Sequence, residues 1–197
     1  MKYPDACIIL FARVPLAGQV KTRLIPALGA QGACLLHERL LQEVLGLVAS
    51  QQLCHVELWL DQAGEHPLLS KLSFPTYVQQ GADLGERLSD AARSGFARHQ
   101  QLLFIGADCP AMDEPYLEAA LLHLQADKQV VLGPALDGGY VLLGMNGKYL
   151  ALFADINWGS AQVLQQTLDM ADQQQLKYAL LKPLPDIDRP DDLKYFS

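Results

Sequence analysis

Three cations, Arg13, Lys21 and Arg23, crowd into the stretch Phe11–Gly29, which is otherwise rich in proline, glycine and small residues. The stretch is too irregular for a helix and too basic for a core. It follows the apolar run Cys7-Ile8-Ile9-Leu10 and precedes a long amphipathic segment. A strand that runs into a cationic loop and then a helix is a common way to hold an anion, usually a phosphate. A solvated surface loop has the same composition, so the distinction rests on whether the rest of the chain supplies a matching metal site.

Asp108 is the first candidate for that match. It follows the apolar run Leu102-Leu-Phe-Ile105 inside Gly106-Ala-Asp-Cys-Pro110, where Pro110 stops the strand from continuing. A carboxylate there suits Mg²⁺ or Mn²⁺, hard cations that prefer oxygen donors and bridge to phosphates; it could equally cap a turn. Asp137-Gly138-Gly139-Tyr140 permits a close backbone approach to a ligand, or a tight hairpin, for which Asp-Gly is the usual signal. Asp186 and Asp188 could complete a metal site or solvate the C-terminal loop. Arg87 could reach a substrate anion from a helix start, or pair with Asp83 or Glu86.

Several sharper motifs fail. Gly18-Gln-Val-Lys-Thr22 has Val20 where a P-loop needs glycine before its lysine. No G-x-G-x-x-G follows the first apolar run, and neither G-x-S-x-G nor H-E-x-x-H occurs. His37, in the long amphipathic segment, reads as packed or solvated. Cys109 has no cationic helper beside it in sequence to make it a nucleophile.

The elements that would position these residues alternate between strand and helix. Strands are expected at 6–11, 56–60, 74–79, 102–105, 130–132, 140–143 and 176–181, from apolar runs or period-two alternation. Helices are expected at 30–50, from Asp83 to about Arg98, from Asp113, and from Ser160 to about Asp172. Weaker helical signals lie at 67–72 and in the closing segment. This order implies an α/β domain with a mainly parallel sheet and helices on both faces. In such sheets ligands bind beyond the carboxyl ends of the strands, which is where the basic loop, Asp108 and the Asp137 turn should meet.

At 197 residues, half of them hydrophobic, the chain can bury one core and is read as one domain, 1–197. A net charge of −7 with interspersed signs argues against a nucleic-acid or anionic-membrane binder. Four scattered cysteines without a C-x-x-C pair suit a reducing compartment. No signal-peptide pattern or membrane-length apolar run is present, so a cytoplasmic location is expected.

Together the segments Phe11-Ala-Arg-x-Pro-x-x-Gly18-x-Val-Lys-Thr-Arg-Leu24, Gly81-x-Asp-Leu-Gly-Glu-Arg87, Gly106-x-Asp-Cys-Pro110, Gly133-Pro-x-x-Asp-Gly-Gly-Tyr140 and Asp186-Ile-Asp-x-Pro-x-Asp-Leu193 resemble an uncharacterised bacterial transferase family. That family lies in the glycosyltransferase A (GT-A) superfamily and is similar to the molybdenum-cofactor and 2-phospholactate guanylyltransferases. The resemblance implies a three-layer α/β/α, Rossmann-like, nucleotide-diphospho-sugar transferase fold. It implies phosphate contacts from the loop of Arg13, Gly18, Lys21 and Arg23, with Arg87 as a further candidate. It also implies a Mg²⁺ or Mn²⁺ ligand in Asp108, places Asp137 close to the substrate or the metal with Asp188 as a weaker metal candidate, and gives substrate contacts to Asp137, Gly138 and Gly139. Lys21, Arg23 and Asp108 are the expected catalytic set. In related sequences a threonine usually precedes the proline of the closing motif; here Arg189 does, so the helix cap is lost unless Asp188 takes it over.

The activity expected is nucleotidyl transfer from an NTP to a small phosphorylated or carboxylated acceptor. An NDP-sugar-dependent glycosyltransferase is the alternative, and a non-catalytic nucleotide-binding module is a third. The implied partners are a nucleotide donor and a small-molecule acceptor, with no nucleic acid and no membrane.

Overall fold

The first apolar run forms the strand on which the sheet is centred, β1 (Ala6–Ala12). The computed structural model describes residues 1–50, 52–70 and 72–196. Ile8 and Leu10 point to one face of β1, and Cys7 and Ile9 to the other, as the two-residue period of a strand requires. All four are at most 1% exposed, so helices must cover both faces.

They do. α1 (Ile25–Ser50) and α3 (Glu114–Ala126) close one face, where Leu41, Val44, Leu117 and Leu121 pack with Ile8 and Leu10. α2 (Leu84–Gly95) and α4 (Val163–Gln173) close the other, where Leu88, Ala91 and Ala171 pack with Ile9 and Phe104. The remaining strands are β2 (His55–Leu60), β3 (Thr76–Val78), β4 (Gln101–Gly106), β5 (Val130–Pro134), β6 (Tyr140–Met145) and β7 (Tyr178–Leu180). Their order is β3-β2-β1-β4-β6-β5-β7. Every neighbouring pair is parallel except the two made by β6. The three-layer α/β/α architecture is therefore as the sequence implied.

Local signals hold where a side chain can satisfy an end. Asp83 Oδ1 accepts the Glu86 N–H at 2.9 Å and caps α2, while the Glu86 carboxylate reaches one residue further back than in a capping box and accepts the Ala82 N–H at 2.7 Å. Asp113 caps α3 through the Tyr116 N–H at 2.9 Å. α1 carries a break at Gly29, whose φ of 70° is not helical, so the regular helix follows that residue. The Asp137-Gly-Gly turn is a hairpin joining β5 to β6. Over 67–72, the described residues form hydrogen-bonded turns rather than a helix, and Lys71 lies outside the described residues. α4 starts at Val163, later than Ser160, because the Ser160 hydroxyl accepts the Gln162 N–H and holds a turn ahead of the helix.

From β1 the chain steps outward to β2 and β3, and β4 returns on the opposite side of β1. The carboxyl ends of β1 and β4 thus flank the point where the strand order reverses, the usual place for a crevice. The β5–β6 hairpin turns at this same end. So does the segment after β7, where the Leu184 N–H donates to Pro134 O at 3.0 Å and the Ile187 N–H to Asp108 O at 2.8 Å. No helix among the described residues is long and apolar enough to cross a membrane.

Candidate functional site

The basic loop is shaped by its apolar residues. Val20 and Leu24 are 1% and 0% exposed and anchor the loop in the core. Lys21 lies between these anchors in a left-handed conformation, φ 48° and ψ 41°, which is uncommon for a residue with a side chain. Its ammonium is thereby turned inward, 2.8 Å from Asp108 Oδ1, and it also donates to the Ile187 carbonyl. Arg23 points across the same gap and pairs with Asp188.

The third cation behaves differently. Arg13 Nη1 donates to Gln19 O at 3.2 Å, a brace within the loop, and among the described residues it pairs with no carboxylate. His37 is buried, and its Nε2 lies 3.0 Å from Arg13 O, tying the loop backbone to α1.

These groups border a cleft of about 570 Å³. Asp108, Asp137, Asp186 and Asp188 all line it, together with Arg13, Lys21, Arg23 and Gly139. Asp137 Oδ1 accepts the Gly139 N–H at 2.9 Å, which fixes the hairpin turn. Burial pushes the Asp186 carboxyl up to about 6, and the negative charges of Asp137, Asp192 and Asp108 add to the shift. Like charges are thus crowded into a partly desolvated place.

Three residues expected at the site do not line it. Arg87, in the first turn of α2, donates Nε to Gly81 O at 3.1 Å in the loop just before that helix. Gly18 is exposed at the tip of the basic loop, where its φ of 82° serves the turn. Gly138 supports the site from behind: its carbonyl accepts the Leu164 N–H at 2.9 Å, and a Cβ there would meet Ala161 O at 2.2 Å.

The closing motif solves its missing threonine without Asp188. The Asp192 carboxylate accepts the N–H groups of Asp188 and Arg189, at 3.1 and 2.6 Å, which leaves the Asp188 side chain for Arg23. Cys109 is buried, and desolvation pushes its thiol up to about 11, so little thiolate exists at neutral pH. Sequence reasoning passed over Trp158, which with Tyr140 of the Asp137-Gly-Gly-Tyr motif forms an aromatic wall of the cleft. The run Asn157-Trp-Gly-Ser160 signalled only a loop and a helix start.

The donor set suits a divalent cation. Aspartate oxygens are hard ligands, and Mg²⁺ commonly takes one or two carboxylates and completes its shell with water and phosphate. Among the described residues no three of the site's carboxylates bring oxygens within 4.8 Å of one another, so they do not form a closed protein cage.

Residues 44–160 match a family of uncharacterised proteins conserved in bacteria, DUF2064. The chain belongs to that family. No curated protein matches it as a relative. Among solved structures, it is similar to a protein from Desulfovibrio desulfuricans G20 that is provisionally described as a nucleotide-diphospho-sugar transferase. The identity is 30% and the TM-score 0.86, covering 96% of this chain and 85% of that one. It also shares its fold with 4-diphosphocytidyl-2C-methyl-D-erythritol synthase from Anaerococcus prevotii DSM 20548 (11% identity, TM-score 0.65, coverage 98% and 96%). A CMP-2-keto-3-deoxy-manno-octonic acid synthetase complexed with CTP is likewise similar (10% identity, TM-score 0.64, coverage 97% and 96%). The last two are likenesses of fold alone. The guanylyltransferase part of the expected kinship rests on the sequence motifs.

Proposed function

We propose that this DUF2064 protein is a nucleotide-dependent transferase assisted by a divalent metal, and that its donor is a nucleoside-diphosphate-linked sugar. One observation carries the reading: Lys21 and Arg23 face Asp108 and Asp188 across the crevice at the β1/β4 strand ends. Cations on one lip and carboxylates on the other suit a phosphate chain that arrives with a metal.

The choice of donor departs from the triphosphate expected from sequence. That expectation rested on three loop cations being available to a highly charged ligand, yet two of them are matched by aspartates. The Desulfovibrio relative, 30% identical over nearly the whole chain, favours the same donor class. Nucleotidyl transfer from an NTP remains the second reading, favoured by the four aspartates, enough carboxylate to carry further metal with a longer phosphate chain.

Asp108, with Asp186 or Asp188 from the C-terminal segment, would hold the metal, which when bound screens the charge growing on the departing diphosphate. The remaining work falls to the chain. Lys21, Arg23 and Arg13 hold the phosphates. The Gly139 backbone and Asp137 border the position of the acceptor hydroxyl. The acceptor oxygen forms a bond to the anomeric carbon as the bond from that carbon to the β-phosphate oxygen breaks. The nucleoside diphosphate leaves with the electron pair, and the hydroxyl proton passes to Asp137.

Thermal unfolding with UDP-, GDP-, CDP- and dTDP-sugars and with the NTPs, with and without Mg²⁺, tests this. A ligand at a hundred times its dissociation constant adds about 2.7 kcal/mol. An NDP-sugar should stabilise the protein more in Mg²⁺ than in EDTA. Stabilisation by NTPs alone would move the assignment to nucleotidyl transfer, and stabilisation by neither would remove it.

A further inference from the structure

Charge is unevenly distributed around the cleft. Its three lining cations all come from the loop 13–23, and among the described residues no Lys or Arg from another element lines it. Beyond Asp137 the wall turns apolar, built from Phe104, Leu84, Leu88, Val163, Tyr140 and Trp158. Tyr140 and Trp158 meet edge to face with ring centroids 6.4 Å apart. Phe104, Leu88 and Val163 are buried, whereas Trp158 and Tyr140 are half-buried and Leu84 is 42% exposed, so these last three form the part of the wall that opens on the cleft.

The wall is preassembled. A Cβ on Gly85 would meet Phe153 O at 2.5 Å and Trp158 Nε1 at 2.8 Å, so α2 is seated directly against the Trp158 loop. On the other side the hairpin carbonyl of Gly138 takes the Leu164 N–H from the first turn of α4. The Ser160 hydroxyl takes the Gln162 N–H just ahead of it. These backbone donors are spent within the protein.

A phosphate or carboxylate placed against this wall would meet Asp137 and find no cation. A neutral molecule would bury its apolar surface there and gain by its removal from water. Aromatic rings add geometric preference and stack on flat or CH-rich ligands. We infer that the acceptor side of the cleft selects an uncharged hydroxyl compound with an apolar or aromatic body, seated on Trp158 and Tyr140 with its hydroxyl toward Asp137. This rests on the transferase reading above and replaces the anionic acceptor expected from sequence.

Calorimetry on the full chain tests it. UDP, GDP, CDP and dTDP are titrated first in Mg²⁺. With the tightest of them saturating, phenyl β-D-glucoside is compared with phenyl phosphate and glucose 6-phosphate. The neutral glucoside should bind at least about tenfold more tightly than either anion. Trp158→Ala should weaken the glucoside by about tenfold and leave the nucleoside diphosphate within about twofold. Leu84→Arg, at an exposed position on the wall, should narrow or reverse the preference, and it decides the matter if Trp158→Ala does not fold. Equal or tighter binding of the anions overturns the inference. So does a Trp158→Ala variant that loses the nucleotide instead, since the wall would then hold the base. If no nucleoside diphosphate binds, the transferase reading fails separately, and the same probe comparison on the nucleotide-free chain still decides what the wall selects.

Discussion

Lys21 and Asp108 stand 2.8 Å apart, but water sees them very differently: the lysine side chain is 3% exposed and the aspartate side chain 46%. The ammonium has therefore given up its hydration and depends on the carboxylate and the Ile187 carbonyl, whereas the carboxylate keeps half of its contact with solvent. Breaking this pair from either side should have unequal consequences.

Asp108→Ala leaves a buried ammonium with a carbonyl as its remaining partner. Losing one partner of a fully buried pair costs about 3–5 kcal/mol, and water at Asp108 reduces that to about 2 kcal/mol. Differential scanning calorimetry should show a fall in Tm of about 4–8 °C. Lys21→Met removes the buried charge and leaves a hydrated carboxylate, so its Tm should stay closer to the parent. Equal losses in the two variants would show that the burial asymmetry carries no energy.

Nucleotide affinity should follow the loop cations. Lys21→Met and Arg23→Ala each remove a charge-assisted contact, worth about 1.5–3 kcal/mol. Arg87→Ala, whose Nε is held by Gly81 O, should change affinity little. Calorimetric titration of the best NDP-sugar in Mg²⁺ gives all three values, and a large effect confined to Arg87 would move the phosphate site to α2.

A second buried charge lies away from the cleft. Glu57, 4% exposed, is gripped by Arg98 at 2.7 and 2.9 Å and accepts the Trp59 indole N–H at 3.1 Å. Arg98→Ala should destabilise the fold by about 2 kcal/mol, allowing for the solvent that reaches Arg98. Glu57→Gln, which removes the charge and keeps the shape, should cost less. Urea midpoints at pH 7 make the comparison.

His99 shares that cluster with Glu57, Arg98, His55 and Cys7. Burial holds its pKa below 6.5, with His55 and Arg98 acting in the same direction against the pull of Glu57. A histidine with a depressed folded pKa gives stability that is present above the unfolded value. It is lost as pH falls, because the unfolded chain takes the proton first. Stability should decline below about pH 6.5, and His99→Asn should flatten the decline between pH 7 and 5. An unchanged slope in that variant assigns the decline to other groups.

Gly138→Ala should damage the site without touching it. At φ 94° an L side chain is strained, and the Cβ would collide with the backbone of Ala161. A loss of about 1–3 kcal/mol is expected, with weaker acceptor binding as the turn moves. Gly18→Ala has open space around its Cβ and pays only the positive-φ strain, so it should be milder.

β1, β4 and β5 were legible in the sequence because each carries an apolar run buried on both faces, whereas β3 and β7, at the sheet edges and largely unburied, are three residues long where six were expected. Caps such as Asp83 and Asp113 were legible for a similar reason, since the partner lies three residues away. The short helix expected at 67–72 was not, because a brief apolar cluster near a proline reads alike as helix or turn. The convergence of the basic loop with Asp108 followed from topology. The pairing of Arg23 with Asp188 did not, since the two are 165 residues apart and no local pattern encodes it. The aromatic wall was equally silent, because Trp158 acquires its neighbours only when Gly85 lets α2 approach.

The carboxylates of Asp186 and Asp188 reach the cleft on a segment that follows every strand of the sheet. β1 pairs with β2 and β4 and not with that segment. Without it Lys21 would keep Asp108 but lose the Ile187 carbonyl, and Arg23 would lose Asp188. The site is therefore completed by a segment that the sheet itself does not contain.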